Sequence, residues 1–174
     1  MAVAAPAPAK PFEKLTNCRL KTQPFNDGDS FHVTLADKRE IIVRLCFVDC
    51  PETDDSFPDR VAEQAQYFGV TSDQAMEIGK QAREFTKAAL SRPFVIQTRW
   101  RNALGRSTLP RSYAMITTVD GKDLNELLVS AGLARIYGTR TPLPDGGTSR
   151  AYLARLATLE TEARKKRLGG WSRR

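Results

Sequence analysis

The chain has 174 residues, 27 Lys plus Arg against 20 Asp plus Glu, and a net charge of +7, with 41% apolar and 27% charged residues. That is the balance of one soluble globular domain able to bury its own core, and it excludes a disordered or collagen-like chain. No apolar run approaches the roughly 18–20 residues needed to span a bilayer, so a membrane-spanning helix is not expected.

Met1 to Lys10 is rich in Ala and Pro, without a basic start or a proper apolar run. It reads as a flexible tail, or as the start left after a removed signal peptide. The expected organisation is a tail over 1–16 and one domain over 17–174. A first strand is expected around Cys18 to Thr22. Asn26-Asp27-Gly28-Asp29 is a turn signal, after which Phe31, Val33 and Leu35 alternate with polar residues as in a half-buried strand. Ile41 to Val48 is apolar on both faces except for Arg44, the pattern of a central strand.

Residues 53–73 form a polar insertion with room for a short helix around Val61 to Phe68. Ile78, Ala82, Phe85, Ala89 and Leu90 then recur at helical spacing until Pro93. Phe94 to Trp100 and Tyr113 to Val119 read as strands joined by an Arg-rich loop. Asp123, with Glu126 three positions on, caps a short helix that Gly132 ends. Tyr152, Leu156, Leu159 and Ala163 mark a last amphipathic helix closed by Gly169. Strands interrupted by one helix and followed by two more point to a small barrel with packed helices, not a βαβ array.

Charge is unevenly distributed. Residues 45–80 hold eight acids against Arg60 and Lys80, whereas residues 92–111 hold five arginines and no acid. Such a pairing can set a cation site beside an anion site. Cys18, Cys46 and Cys50 match no zinc spacing, and one disulfide or three free thiols are equally compatible with them. His32 is the sole histidine and falls on the polar face of its strand. With no Gly-x-Ser-x-Gly, Walker A, dinucleotide fingerprint or His-Glu-x-x-His, the common hydrolase, nucleotide and zinc-protease chemistries are excluded.

Carboxylates and arginines at strand ends remain. An arginine on a strand as apolar as that of Arg44 needs a partner, and a buried ion pair with Asp49 or Glu52 is the plainest one. Asp27-Gly28-Asp29-Ser30, followed by Arg44-Leu45-Cys46-Phe47-Val48-Asp49-Cys50-Pro51-Glu52, resembles the signature of the thermonuclease (staphylococcal nuclease-like) family. The likeness continues in register through Gly79 to Leu90, Asp120 to Ala134, and Lys165 to Trp171, covering roughly residues 20–172 apart from the insertion.

That resemblance implies an α+β fold, a five-stranded OB-type barrel with about three helices. It also implies a Ca²⁺-dependent nuclease that hydrolyses DNA and RNA to 3′-phosphate ends. Carried over position by position, Asp29 and Asp49 supply carboxylate oxygens to Ca²⁺ and Cys50 its backbone carbonyl. Thr is usual where Cys50 stands, but a carbonyl ligand does not depend on the side chain. Glu52 matches the general base, and Arg44 one of two arginines that stabilise the transition state. Arg111, at the head of a strand, is preferred as the second; Arg106, in Leu104-Gly105-Arg106, is the alternative. Leu109 departs from the aromatic that precedes the family's arginine, and Tyr137 stands one position off its second nucleotide-contacting tyrosine. The resemblance further implies a monomer without an obligate protein partner, secreted or periplasmic. The alternative is an OB module that binds nucleic acid or protein without turnover.

Overall fold

The computed structural model of the chain describes residues 10–105 and 107–173. Five strands close into a barrel: β1 (Glu13–Leu20), β2 (Ser30–Thr34), β3 (Glu40–Leu45), β5 (Phe94–Asn102) and β6 (Arg111–Thr117), in the order β1-β2-β3-β6-β5. All neighbours run antiparallel except β3 and β6, which are parallel with Ile42 opposite Arg111 and Arg44 opposite Tyr113. The α+β barrel expected from the sequence is therefore present.

β1 starts at Glu13, inside the stretch read above as a tail. It is held there by its ladder to β5, where Leu15 faces Ile96, and by Trp100 Nε1 donating to Glu13 Oε2 at 2.5 Å. Of the rest of the expected tail, residues 10–12 precede β1 without regular structure and residues 1–9 lie outside the described residues.

The continuous strand expected over Ile41 to Val48 is in fact two. β3 stops at Leu45, and β4 (Val48–Asp49) pairs instead with β7 (Arg135–Ile136) in a separate two-stranded sheet. The break falls at Phe47, whose φ of 66° lies in the left-handed region that L-residues avoid unless held. Phe47 is held on both sides: its ring packs edge-on against Tyr152 at 4.8 Å, its N–H donates to Thr139 O, and its carbonyl accepts from Tyr137 N. The kink turns Asp49 away from the barrel wall.

Helices cover the barrel. α1 (Pro58–Phe68) comes from the insertion and starts on a proline, which loses nothing by lacking an N–H in a first turn. α2 (Ser72–Ala89) opens with a reciprocal cap between Thr71 and Gln74. α3 (Leu124–Ser130) is capped by Asp123, which accepts from the N–H of Asn125 and of Glu126. α4 (Ser149–Lys165) is followed by a 3-10 turn, Gly169–Arg173.

Phe31, Val43, Leu45, Ile96 and Ile116 from the strands, with Ile78, Leu128, Tyr152, Leu156 and Trp171 from the covering elements, belong to one continuous core. Each such side chain contributes about 1.5–3 kcal/mol by leaving water. Val61, Ala65 and Ala75 form a second small cluster that ties α1 to α2. Cys18, Cys46 and Cys50 are buried free thiols, which closes the disulfide alternative. No helix among the described residues is long and apolar enough to cross a membrane.

Candidate active site

The site is built where the Asp27–Ser30 turn, the end of β3, the β4–Glu52 loop and α1 converge. α2 supports this corner from below through two close approaches. A Cβ on Gly28 would lie 2.7 Å from Ala82 Cβ and 2.8 Å from Cys50 Sγ, and one on Gly79 would overlap the carbonyl oxygens of Pro51 and Glu52. Thr86 Oγ1 donates to Gly28 O at 2.6 Å. Glycine at both positions lets the helix press the turn and the loop together.

Asp49 is 0% exposed and carries a full set of partners. Its Oδ1 accepts from Arg44 Nη2 at 2.6 Å and from Arg60 Nη2; its Oδ2 accepts from Arg135 Nε at 2.8 Å and Gln64 Nε2 at 2.9 Å. Burial alone pushes this carboxyl up, but Arg60, Arg44, Gln64 and Arg135 outweigh it and hold the group below the usual carboxylate range. Arg44 also pairs with Asp29 Oδ2 at 3.0 Å. The buried ion pair expected for Arg44 thus exists, with Asp49 and Asp29 together.

Arg60, from the insertion helix, bridges to Glu52 Oε1 at 2.8 Å. Gln64 spans the loop: besides Asp49 it donates to Cys50 O at 3.1 Å, and its Oε1 accepts from Glu52 N at 2.9 Å. Arg135 is shared between Asp49 and Glu63 Oε1, at 2.9 Å from the latter.

Burial raises the other carboxylates; neighbouring carboxylates add to it and neighbouring arginines oppose it. Asp29 is raised by burial and by Asp49 against Arg44 and Arg60; Glu52 is raised by burial, with Arg60 opposing and Asp29 and Asp49 adding. Asp27 is pushed up to about 7, by burial first and then by Asp29 and Glu52. A cluster of this kind favours a cation of whatever source.

The donors suit a hard, oxygen-seeking dication such as Ca²⁺. Asp29 Oδ2 is buried and, beyond its ion pair with Arg44, has no hydrogen-bond partner. Asp29, Asp49 and the Cys50 carbonyl are the groups that would hold the ion. Among the described residues no three His, Cys, Asp or Glu side chains stand together as a ready cage, and Asp49 is engaged by three arginines.

Arg111 opens β6, as expected for a strand-head arginine. Its Nη2 donates to Ser30 Oγ at 2.9 Å and its Nη1 to Leu104 O at 3.0 Å. Burial and then the nearby Arg44 lower its pKa, which places the two guanidinium groups in one field. Arg106 lies outside the described residues.

Beside this corner opens a cavity of about 610 Å³, lined by Arg44, Arg60, Arg135, Arg140, Tyr113 and Tyr137 among others. Arg135 stacks on the Tyr137 ring at 4.1 Å, and Tyr137 is half exposed. Its size and its mix of guanidinium and phenol suit a nucleotide. His32, bound through Nδ1 to Asn26 Oδ1 at 2.8 Å, belongs to the turn and not to the site.

The structure brings Asp29, Arg44, Asp49, Cys50 and Glu52 into one corner and sets Arg111 at its edge. Sequence reading missed Arg60, Gln64 and Arg135. Gln64 had a readable signal: it interrupts the Val61, Ala65, Phe68 stripe of α1, where an amide must find buried partners.

Comparison by sequence with curated proteins gives no match. Residues 42–173, well over half the chain, match the family described as staphylococcal nuclease homologue, a match that takes in Arg44, Asp49, Cys50, Glu52 and Arg111 and begins after Asp29. The chain belongs to the staphylococcal nuclease homologue family.

Proposed function

We propose that the chain is a Ca²⁺-dependent phosphodiesterase that hydrolyses DNA and RNA, leaving 3′-phosphate ends. The observation that carries this reading is the meeting of Asp29, Arg44, Asp49 and Glu52 in one corner beside a cavity lined by arginine and tyrosine. Bound calcium supplies charge to polarise the phosphate and acidify nearby water.

The chain's own groups do the rest. Glu52, raised above the usual carboxylate range, is a better proton acceptor than an exposed glutamate, and takes the proton of the attacking water. The P–O(water) bond forms as the P–O5′ bond breaks, and the departing O5′ takes a proton from solvent water to leave as a hydroxyl. Arg44 and Arg111 present fork-shaped donors to the phosphoryl oxygens as charge builds there. Burial opposes the charge on Arg44, but Asp29 and Asp49 keep it protonated at any working pH. Tyr113 and Tyr137 line the cavity that would take the nucleotide.

Replacing Glu52 by Gln tests the assignment. Turnover should fall by several orders of magnitude while Ca²⁺ and nucleotide binding stay nearly intact. Loss of nucleotide binding along with activity would contradict the general-base role.

A second reading, a nucleic-acid-binding module without turnover, is favoured by one observation. Asp49, an expected metal ligand, is already saturated by three arginines and Gln64.

A further inference from the structure

The insertion brings the carboxylates a cation of their own. α1 sets Arg60 and Gln64 four residues apart, one helical turn, on the face turned toward the Asp49–Glu52 loop. Gln64 is fully buried and anchors the helix there by its bonds to Asp49, Cys50 and Glu52. Arg60 is therefore delivered to the site by a fixed element. Its Nη2 meets Asp49 Oδ1 and its Nε meets Glu52 Oε1 at 2.8 Å, so one guanidinium bridges a metal-ligand carboxylate and the general base.

We propose that Arg60 is a built-in counter-cation that competes with the divalent metal for Asp49, and that metal loading moves its guanidinium off this carboxylate and off Glu52. The inference rests on the calcium reading given above.

Three arginines hold Asp49, and they are not equally committed. The Arg135 side chain is 4% exposed and Arg44 16%, both on barrel or sheet strands, whereas Arg60 is 36% exposed. Arg60 gives up least protein contact on leaving, and it already lines the cavity into which it would turn. There a guanidinium finds the oxygens of a bound phosphate, a partner as good as the carboxylate it left. A dication outcompetes a single charge for carboxylates gathered this closely around Arg44 and Arg60. Until it binds, Arg60 keeps buried Asp49 and half-buried Glu52 compensated, which avoids the cost of unpaired charge removed from water.

The test is calorimetric titration of Ca²⁺ into the full chain stripped with EDTA and dialysed, comparing wild type, Arg60→Gln and Arg60→Lys, each checked for fold by circular dichroism. Removing a unit charge a few ångströms from the ion should tighten Ca²⁺ binding by about tenfold or more in Arg60→Gln. Arg60→Lys should stay near wild type, because an ammonium still competes. Ca²⁺ binding by Arg60→Gln alone, with none in wild type, would be the strongest form of the same result. Equal or weaker binding by Arg60→Gln overturns the competition. Absence of Ca²⁺ binding in every variant overturns the calcium reading itself, a different outcome from the last.

Discussion

Gln64→Leu isolates what the insertion helix does for the site. The replacement keeps the volume of the side chain but removes three hydrogen bonds, to Asp49 Oδ2, Cys50 O and Glu52 N. A bond to a charged partner contributes roughly 1.5–3 kcal/mol, and each buried group left unpaired costs roughly 1–3 kcal/mol. Burying the apolar leucine in a fully enclosed position returns roughly 1.5–3 kcal/mol. The net expectation is a loss of about 3 kcal/mol, read as a lower urea midpoint with unchanged slope. For a domain of this size it should lower Tm by roughly 6–12 °C. Turnover should fall further than stability alone explains, because the Glu52 backbone loses its anchor. A folded Gln64→Leu protein within about 1 kcal/mol of wild type, with unchanged turnover, would refute the claim that Gln64 positions the loop.

Gly79→Ala tests the close approach of α2. The new Cβ would run into the carbonyl oxygens of Pro51 and Glu52, backbone atoms that cannot rotate aside. A loss of about 2–3 kcal/mol in urea unfolding is expected, with reduced turnover from a displaced Glu52; normal values for both would mean that the contact is slack. Asp27 gives a pH dependence in EDTA-treated protein. Its folded pKa, about 7 against an ordinary 3.8, is raised, so the stability it contributes is complete below about pH 4 and is lost as pH rises through 7. The displacement corresponds to about 4 kcal/mol at most. Asp27→Asn should remove this part of the slope and stabilise the protein above pH 7; an unaltered pH–stability profile would contradict the burial of a charged Asp27.

The barrel was legible because its strands carry period-two alternation and its turns carry Asp-Gly, signals that depend on near neighbours only. Arg44, Asp49 and Glu52 were legible because they lie in one contiguous run, and that run, with the separate Asp27–Ser30 turn that holds Asp29, resembles the family signature from which their roles were carried over. Arg60 and Gln64 reach the site only because α1 folds back onto the loop just before it, and Arg135 comes from β7, 86 residues beyond Asp49. Gln64 on an apolar stripe marked a buried polar contact but not its partner. The break at Phe47 was hidden as well, because an unbroken apolar run reads as a strand whether or not one residue takes a left-handed conformation. What forces that conformation, Tyr152 and the 137–139 backbone, lies about ninety residues or more further along the chain.

The most direct test of the proposed chemistry is hydrolysis of single-stranded DNA by the purified chain in millimolar Ca²⁺ and in EDTA, with the product ends analysed. Cleavage that requires Ca²⁺ and leaves 3′-phosphate ends is the expected result. A folded protein that binds the DNA but cleaves it under no divalent metal would contradict it, and would identify the chain as a binding module built on a nuclease barrel.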